Sequence, residues 1–171
     1  MPSTRADAAT TDVPALLARL AAGEVEFIVI GGIAAAIHGS AHVTYDLDVL
    51  YRRTPDNIQR LAAALAPLSP YLRGAPDGLP FRLDAATMTR GLNFTLLTTL
   101  GAIDLLGEVT GGGTYEALVG ESESAAVGGR TILCVSLRRL IALKRAAGRP
   151  KDLVILGELE ALLDERDCDR T

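Results

Sequence analysis

Apolar and polar positions alternate along the chain with two distinct periods, and the period identifies each element. Val13, Leu16, Leu17 and Leu20 recur at helical spacing between Asp12, a suitable N-cap, and Gly23, a suitable stop, so residues 13–22 are expected to form a helix. Val25, Phe27, Ile28, Val29 and Ile30 follow as a dense apolar run, the signature of a strand buried on both faces. Gly31 and Gly32 end that strand, and a small-residue helix over 33–38 closes at Gly39. Residues 44–51 read as a strand that opens with charge and turns apolar. Thr54-Pro55-Asp56 starts a helix carrying Ile58, Leu61, Leu65 and Leu68. Four prolines and two glycines make residues 67–80 mostly loop, and a helical turn is expected over 84–90. Residues 93–99 and 102–106 form one expected hairpin, and 121–127 and 130–135 a second around Gly128-Gly129. Ser136 caps a helix bearing Leu137, Leu140, Ile141 and Leu143. A last helix after Gly148-Arg149-Pro150 carries Leu153, Leu156, Leu159, Leu162 and Leu163. This order predicts a mixed α+β domain spanning 13–171, preceded by a disordered N-terminal arm over 1–12.

Composition narrows the function classes. The chain has 171 residues, 49% hydrophobic and 22% charged, as expected of a folded globular protein. A net charge of −4 argues against a generally basic coat for nucleic acid. Two cysteines and two histidines exclude a disulfide framework and most histidine-based metal sites. No segment has the roughly 18–20 continuous apolar residues of a membrane span, and the first dozen residues lack a signal-peptide core, so a cytoplasmic location is expected. The only two lysines, Lys144 and Lys151, fall in one C-terminal basic stretch with Arg138, Arg139, Arg145 and Arg149.

Asp46 and Asp48 carry the sharpest chemical signal. Residues two apart in a strand share a face, so these carboxylates repel unless water or a cation lies between them. A divalent cation such as Mg²⁺ would satisfy both; a wet, charged edge strand is the other reading. Gly31-Gly32, between a buried strand and a helix, is either a tight turn or a place where backbone amides approach a phosphate. Asp104 is the lone polar group in Ala102-Ile103-Asp104-Leu105-Leu106, so it needs either an arginine partner or a share in the same cation. Lys144 ends the apolar stripe of its helix, where it either points into a cleft or joins a solvated basic face. Asp152 either orients Lys144 or a neighbouring arginine, or caps the last helix.

Taken together, Gly31-Gly32, Thr44-x-Asp46-Leu47-Asp48 and the later strand acid Asp104 resemble the DNA polymerase β-like nucleotidyltransferase superfamily. The run Leu140–Leu153, with Lys144 and Arg149-Pro150-Lys151-Asp152, resembles its bacterial AbiEii-like and MenT-like branch. The resemblance implies a mixed sheet flanked by helices with C-terminal helices. It also implies two Mg²⁺ held by Asp46, Asp48 and Asp104, and a nucleoside triphosphate bound through Gly31, Gly32, Lys144, Lys151 and Asp152. A nucleoside monophosphate would pass to a hydroxyl on RNA such as tRNA, or on a protein, with Asp104 as the proton acceptor. Three carboxylates against two Mg²⁺ leave a site suited to an anionic nucleotide. The branch further implies a toxin of a toxin–antitoxin pair with a cognate antitoxin; a catalytically silent binding partner or antitoxin is the alternative. The chain departs from the family pattern at His42, where relatives often have arginine, at Ile155, often an acid, and at Gly32, often serine. A haloacid-dehalogenase phosphatase is disfavoured because Asp46 and Asp48 precede the apolar part of their strand. A dinucleotide dehydrogenase is disfavoured because Gly31-Gly32-Ile33-Ala34-Ala35-Ala36 lacks Gly-x-Gly-x-x-Gly.

Overall fold

The structure, a computed structural model, describes residues 10–170. Among these residues, seven strands and seven α-helices occur in the order α1 (Val13–Ala22), β1 (Phe27–Ile30), α2 (Gly31–Ile37), β2 (Asp46–Tyr51), α3 (Pro55–Leu65), β3 (Tyr71–Leu72), α4 (Ala85–Arg90), β4 (Phe94–Thr98), β5 (Gly101–Leu106), α5 (Tyr115–Leu118), β6 (Ser122–Val127), β7 (Arg130–Val135), α6 (Leu137–Ala147) and α7 (Pro150–Cys168). All seven strands join one mixed sheet in the order β3-β4-β5-β2-β1-β7-β6. The α+β class and the helix-flanked mixed sheet are therefore as expected. No helix among the described residues is long and apolar enough to cross a membrane.

The caps explain where the helices begin. Asp12 accepts from the Ala15 amide at 3.0 Å, and Thr54, Asp84 and Ser136 play the same part for α3, α4 and α6. The expected N-terminal arm lies mostly outside the described residues, but Thr11 and Asp12 do not. The Thr11 hydroxyl donates to the Tyr45 carbonyl and accepts from the Ala102 amide at 3.0 Å, so it ties together the beginnings of β2 and β5. Two expectations shift: α2 starts at Gly31 itself, and β2 starts at Asp46. The proline-rich run 67–80 contains the short strand β3, paired antiparallel with β4.

Strand pairing determines the site. β1 and β2 are antiparallel with Ile30 opposite Asp48, and β2 and β5 are parallel with Asp48 beside Asp104. Leu47, Val49, Ile103 and Leu105 point to the other face and are fully buried. The β1–β2 register is held at its far end by Asn57, buried in α3. Its side chain accepts from the Glu26 amide at 2.7 Å and donates to the carbonyls of Glu26 and Arg52 at 2.9 and 2.8 Å. Asn57→Ala leaves three backbone groups without this partner and is expected to cost about 2–4 kcal/mol, read as a lower urea midpoint with an unchanged slope.

Candidate metal and nucleotide site

Asp46, Asp48 and Asp104 project from neighbouring strands onto one face, where one oxygen from each lies within 4.8 Å of the others. This is the one group of three acids, cysteines or histidines so arranged among the described residues. The arrangement follows from the pairing: partners in a parallel ladder point the same way, and Asp46 is two residues from Asp48. All three carboxylates are half-buried. Burial pushes Asp48 up to about 7, with repulsion from Asp46 and Asp104 adding to it and Lys144 opposing. Burial also raises Asp104, against the pull of the Arg73 guanidinium.

The glycine pair is required by these acids. Gly31 has φ +65°, and a Cβ there would lie 2.1 Å from Asp48 Oδ2. A Cβ on Gly32 would lie 2.6 Å from the Thr44 hydroxyl, which in turn sits 3.3 Å from Asp46 Oδ1. Gly31 thus makes room for one acid, and Gly32 for the threonine that donates to another.

A cavity of about 310 Å³ opens in front of the acids, within the range of small-molecule sites. Gly31 and the three acids line one side, and Lys144, Arg149, Lys151 and Asp152 from the α6–α7 hairpin line the other. The hairpin is built around Asp152, whose side chain is fully buried. Its two oxygens accept from Lys144 Nζ at 3.1 Å and Arg149 Nε at 2.7 Å. Burial would raise this carboxyl; the hydrogen bonds from Arg149 and Lys144 outweigh it and hold the group below its ordinary value. Asp152 therefore acts on the cavity through the two cations it orients, and it also caps α7. Asp152 thus contacts both cations and closes the first turn of α7 while lining the cavity. Gly32 faces Thr44 and does not line the cavity.

The basic stretch divides by helical phase. Arg138, Arg139 and Arg145 pair with Asp167, Glu121 and Glu160, while Lys144, Arg149 and Lys151 line the cavity. His42 is exposed and does not line it, and Ile155 belongs to the core. His38 is buried and contacts the Val135 carbonyl through Nε2 at 2.7 Å, a structural role at the end of α2. Cys134 is a buried core thiol, pushed by its burial up to about 12.

Three contributors were not foreseen. Arg73, directly after β3, donates to Asp104 Oδ1 at 2.5 Å and reaches Asp46 Oδ2 at 3.5 Å. Asp104 thus has both partners that its burial allowed, an arginine and the other two acids. Asn93 and Glu108, at the ends of β4 and β5, line the cavity, and the Gly107 amide donates to Asn93 Oδ1 at 2.9 Å. Glu108 falls two positions beyond Leu106 and four beyond Asp104, a period-two signal that could have found it.

No family model and no curated protein sequence matches the chain. Among solved structures it is similar to a protein from Thermotoga maritima described as a "putative nucleotidyltransferase", with 14% identity over 88% of this chain and 89% of that chain and a TM-score of 0.49. The chemistry of the site accordingly rests on this chain's own residues.

Two measurements follow from the crowding of acids. In the metal-free protein the raised Asp48 keeps its proton after the unfolded chain has lost its own, so stability present below pH 4 falls as pH rises towards 7. Asp48→Asn is expected to flatten that decline and to raise stability at pH 8 by at least about 1 kcal/mol, roughly 2–4 °C in thermal melting. Gly31→Ala, strained and in collision with Asp48, is expected to cost about 2–4 kcal/mol by chemical denaturation.

Proposed function

We propose that the chain is a Mg²⁺-dependent nucleotidyltransferase that transfers a nucleoside monophosphate from a nucleoside triphosphate to a hydroxyl acceptor. One observation carries this reading: three carboxylates and an oriented cationic wall face each other across a single cavity. The donor set fits a hard divalent cation, since all the ligands are carboxylate oxygens, and a cation would relieve the repulsion that raises Asp48. Asp46, Asp48 and Asp104 would hold it. When bound, such ions supply charge stabilisation for the triphosphate and acidify the acceptor hydroxyl.

The chain's own groups account for the remaining requirements. Lys144 and Arg149, fixed by buried Asp152, and Lys151 beside them would bind the triphosphate oxygens. Gly31 lines the cavity and would present its backbone to a phosphate there. The acceptor oxygen attacks the α-phosphorus, the bond to the β-phosphate oxygen breaks, and pyrophosphate leaves. Asp104, beside Asp48 on the cavity face, accepts the acceptor's proton. The acceptor is RNA such as tRNA, or a protein, and the activity is that of a toxin held in check by a cognate antitoxin. These last assignments follow the sequence resemblance.

A second reading has its own observation. Arg73 already forms ion pairs with two of the acids, which suits a catalytically silent member of the same superfamily acting as a binding partner or antitoxin. Incubation with each labelled triphosphate, Mg²⁺ and cell extract separates the two. Label in RNA or protein that is lost in Asp46→Ala, with a normal melting curve for the variant, is the expected result. No labelling with any triphosphate supports the silent reading, and labelling that persists in Asp46→Ala refutes the assigned site.

A further inference from the structure

Arg73 reaches the acids from the β3 edge of the sheet. It follows a two-residue edge strand, and its backbone amide bonds to the Thr95 carbonyl at 3.0 Å. Its guanidinium crosses β4, contacts the Leu96 carbonyl at 3.4 Å, and ends between Asp104 and Asp46. It is absent from the cavity wall formed by Lys144, Arg149 and Lys151. Beyond it the chain leaves the sheet through Gly74 and Gly78, both at positive φ, in a turn closed by the Tyr71 hydroxyl on the Pro76 carbonyl. The side chain that balances the acids is thus long, about one-third exposed, and anchored on the least-paired strand of the sheet.

Three clustered acids are costly without a counter-charge, and Arg73 supplies one. A divalent ion among the same oxygens meets all three carboxylates, where the guanidinium meets two. It also places a double positive charge within a few ångströms of the guanidinium in a half-buried site, where repulsion is weakly screened. The two cations therefore compete. We propose that Arg73 is a resident counter-ion that a divalent cation displaces, so that loading the acid cluster releases Arg73 and loosens the edge segment from Tyr71 to Arg82. The inference rests on the metal reading of the acids, and its consequence is a threshold: the site stays closed to metal until the ion outcompetes an arginine of the same chain.

Limited trypsin digestion of the full-length protein reads the release directly. Cleavage after Arg73 is compared with cleavage after Arg130, in the distant β6–β7 turn, in Mn²⁺ and in chelator. A several-fold rise in the Arg73 cut relative to the Arg130 cut with Mn²⁺ is expected; an unchanged or slower Arg73 cut overturns the inference. Calorimetric titration with Mn²⁺ provides the second arm. Arg73→Gln should tighten Mn²⁺ binding about tenfold, and Arg73→Lys, which keeps the charge but loses the forked geometry, should tighten it less. Wild-type binding that is unaltered or weakened by both substitutions rejects the displacement while leaving the metal site standing. Failure of the wild type and both variants to bind Mn²⁺ rejects the metal site and the displacement together.

Discussion

Mutual repulsion among three carboxylates is the constraint around which this end of the molecule is organised. The parallel pairing of β2 with β5 places Asp48 directly beside Asp104, and the period of a strand adds Asp46 to the same face. Such a concentration of charge on a half-buried surface needs compensation from several directions at once. Arg73 meets it from one flank. Lys144 opposes it from the other, through a side chain held by Asp152. Asp48 absorbs the remainder by holding its proton towards neutral pH. An incoming cation would carry the balancing charge, and the acids lie on a central strand pair rather than on a sheet edge.

Positions of the cations follow from how the helices are capped. Gly148, at positive φ, ends α6, and Pro150 begins α7 two residues later. The short connection forces the last turn of one helix against the first turn of the next, and Asp152 is buried where they meet. Its carboxylate then does two jobs: it closes the N-terminus of α7 with Arg149, and it draws Lys144 to the cavity. A cationic wall is thereby assembled from one hairpin, with Lys144 and Arg149 already held by Asp152. That restraint lowers the cost of ordering them around an anion.

Local patterning made much of this legible in advance. Both acid strands, the two hairpins and the C-terminal helices are visible as periodicities, and Asp46, Asp48 and Asp104 stand out because each interrupts an apolar run. What stayed hidden depends on contacts between distant segments. Arg73 lies in a stretch of prolines and glycines, and a two-residue strand is too short to show a period. The charges between 138 and 151 look alike along the chain, yet helical phase turns Arg138 and Arg145 towards acids of α7 and Lys144 towards the cavity. The glycine pair invited a reading in terms of phosphate, while its steric demand comes from Asp48 and Thr44, a relation visible only once β2 is laid against α2.

Thr11 gives the architecture an asymmetry. Its single hydroxyl bridges the carbonyl preceding Asp46 and the amide of Ala102, so two strands far apart in sequence are buckled where they start, one residue before one acid and two before another. Gly101 leaves the room: a Cβ there would press within 2.5 Å of the Thr11 backbone. The two acid-bearing strands are thus joined from outside the sheet, by a residue upstream of every described strand. A change at that remote clasp would alter the bite of the acids without touching any of them.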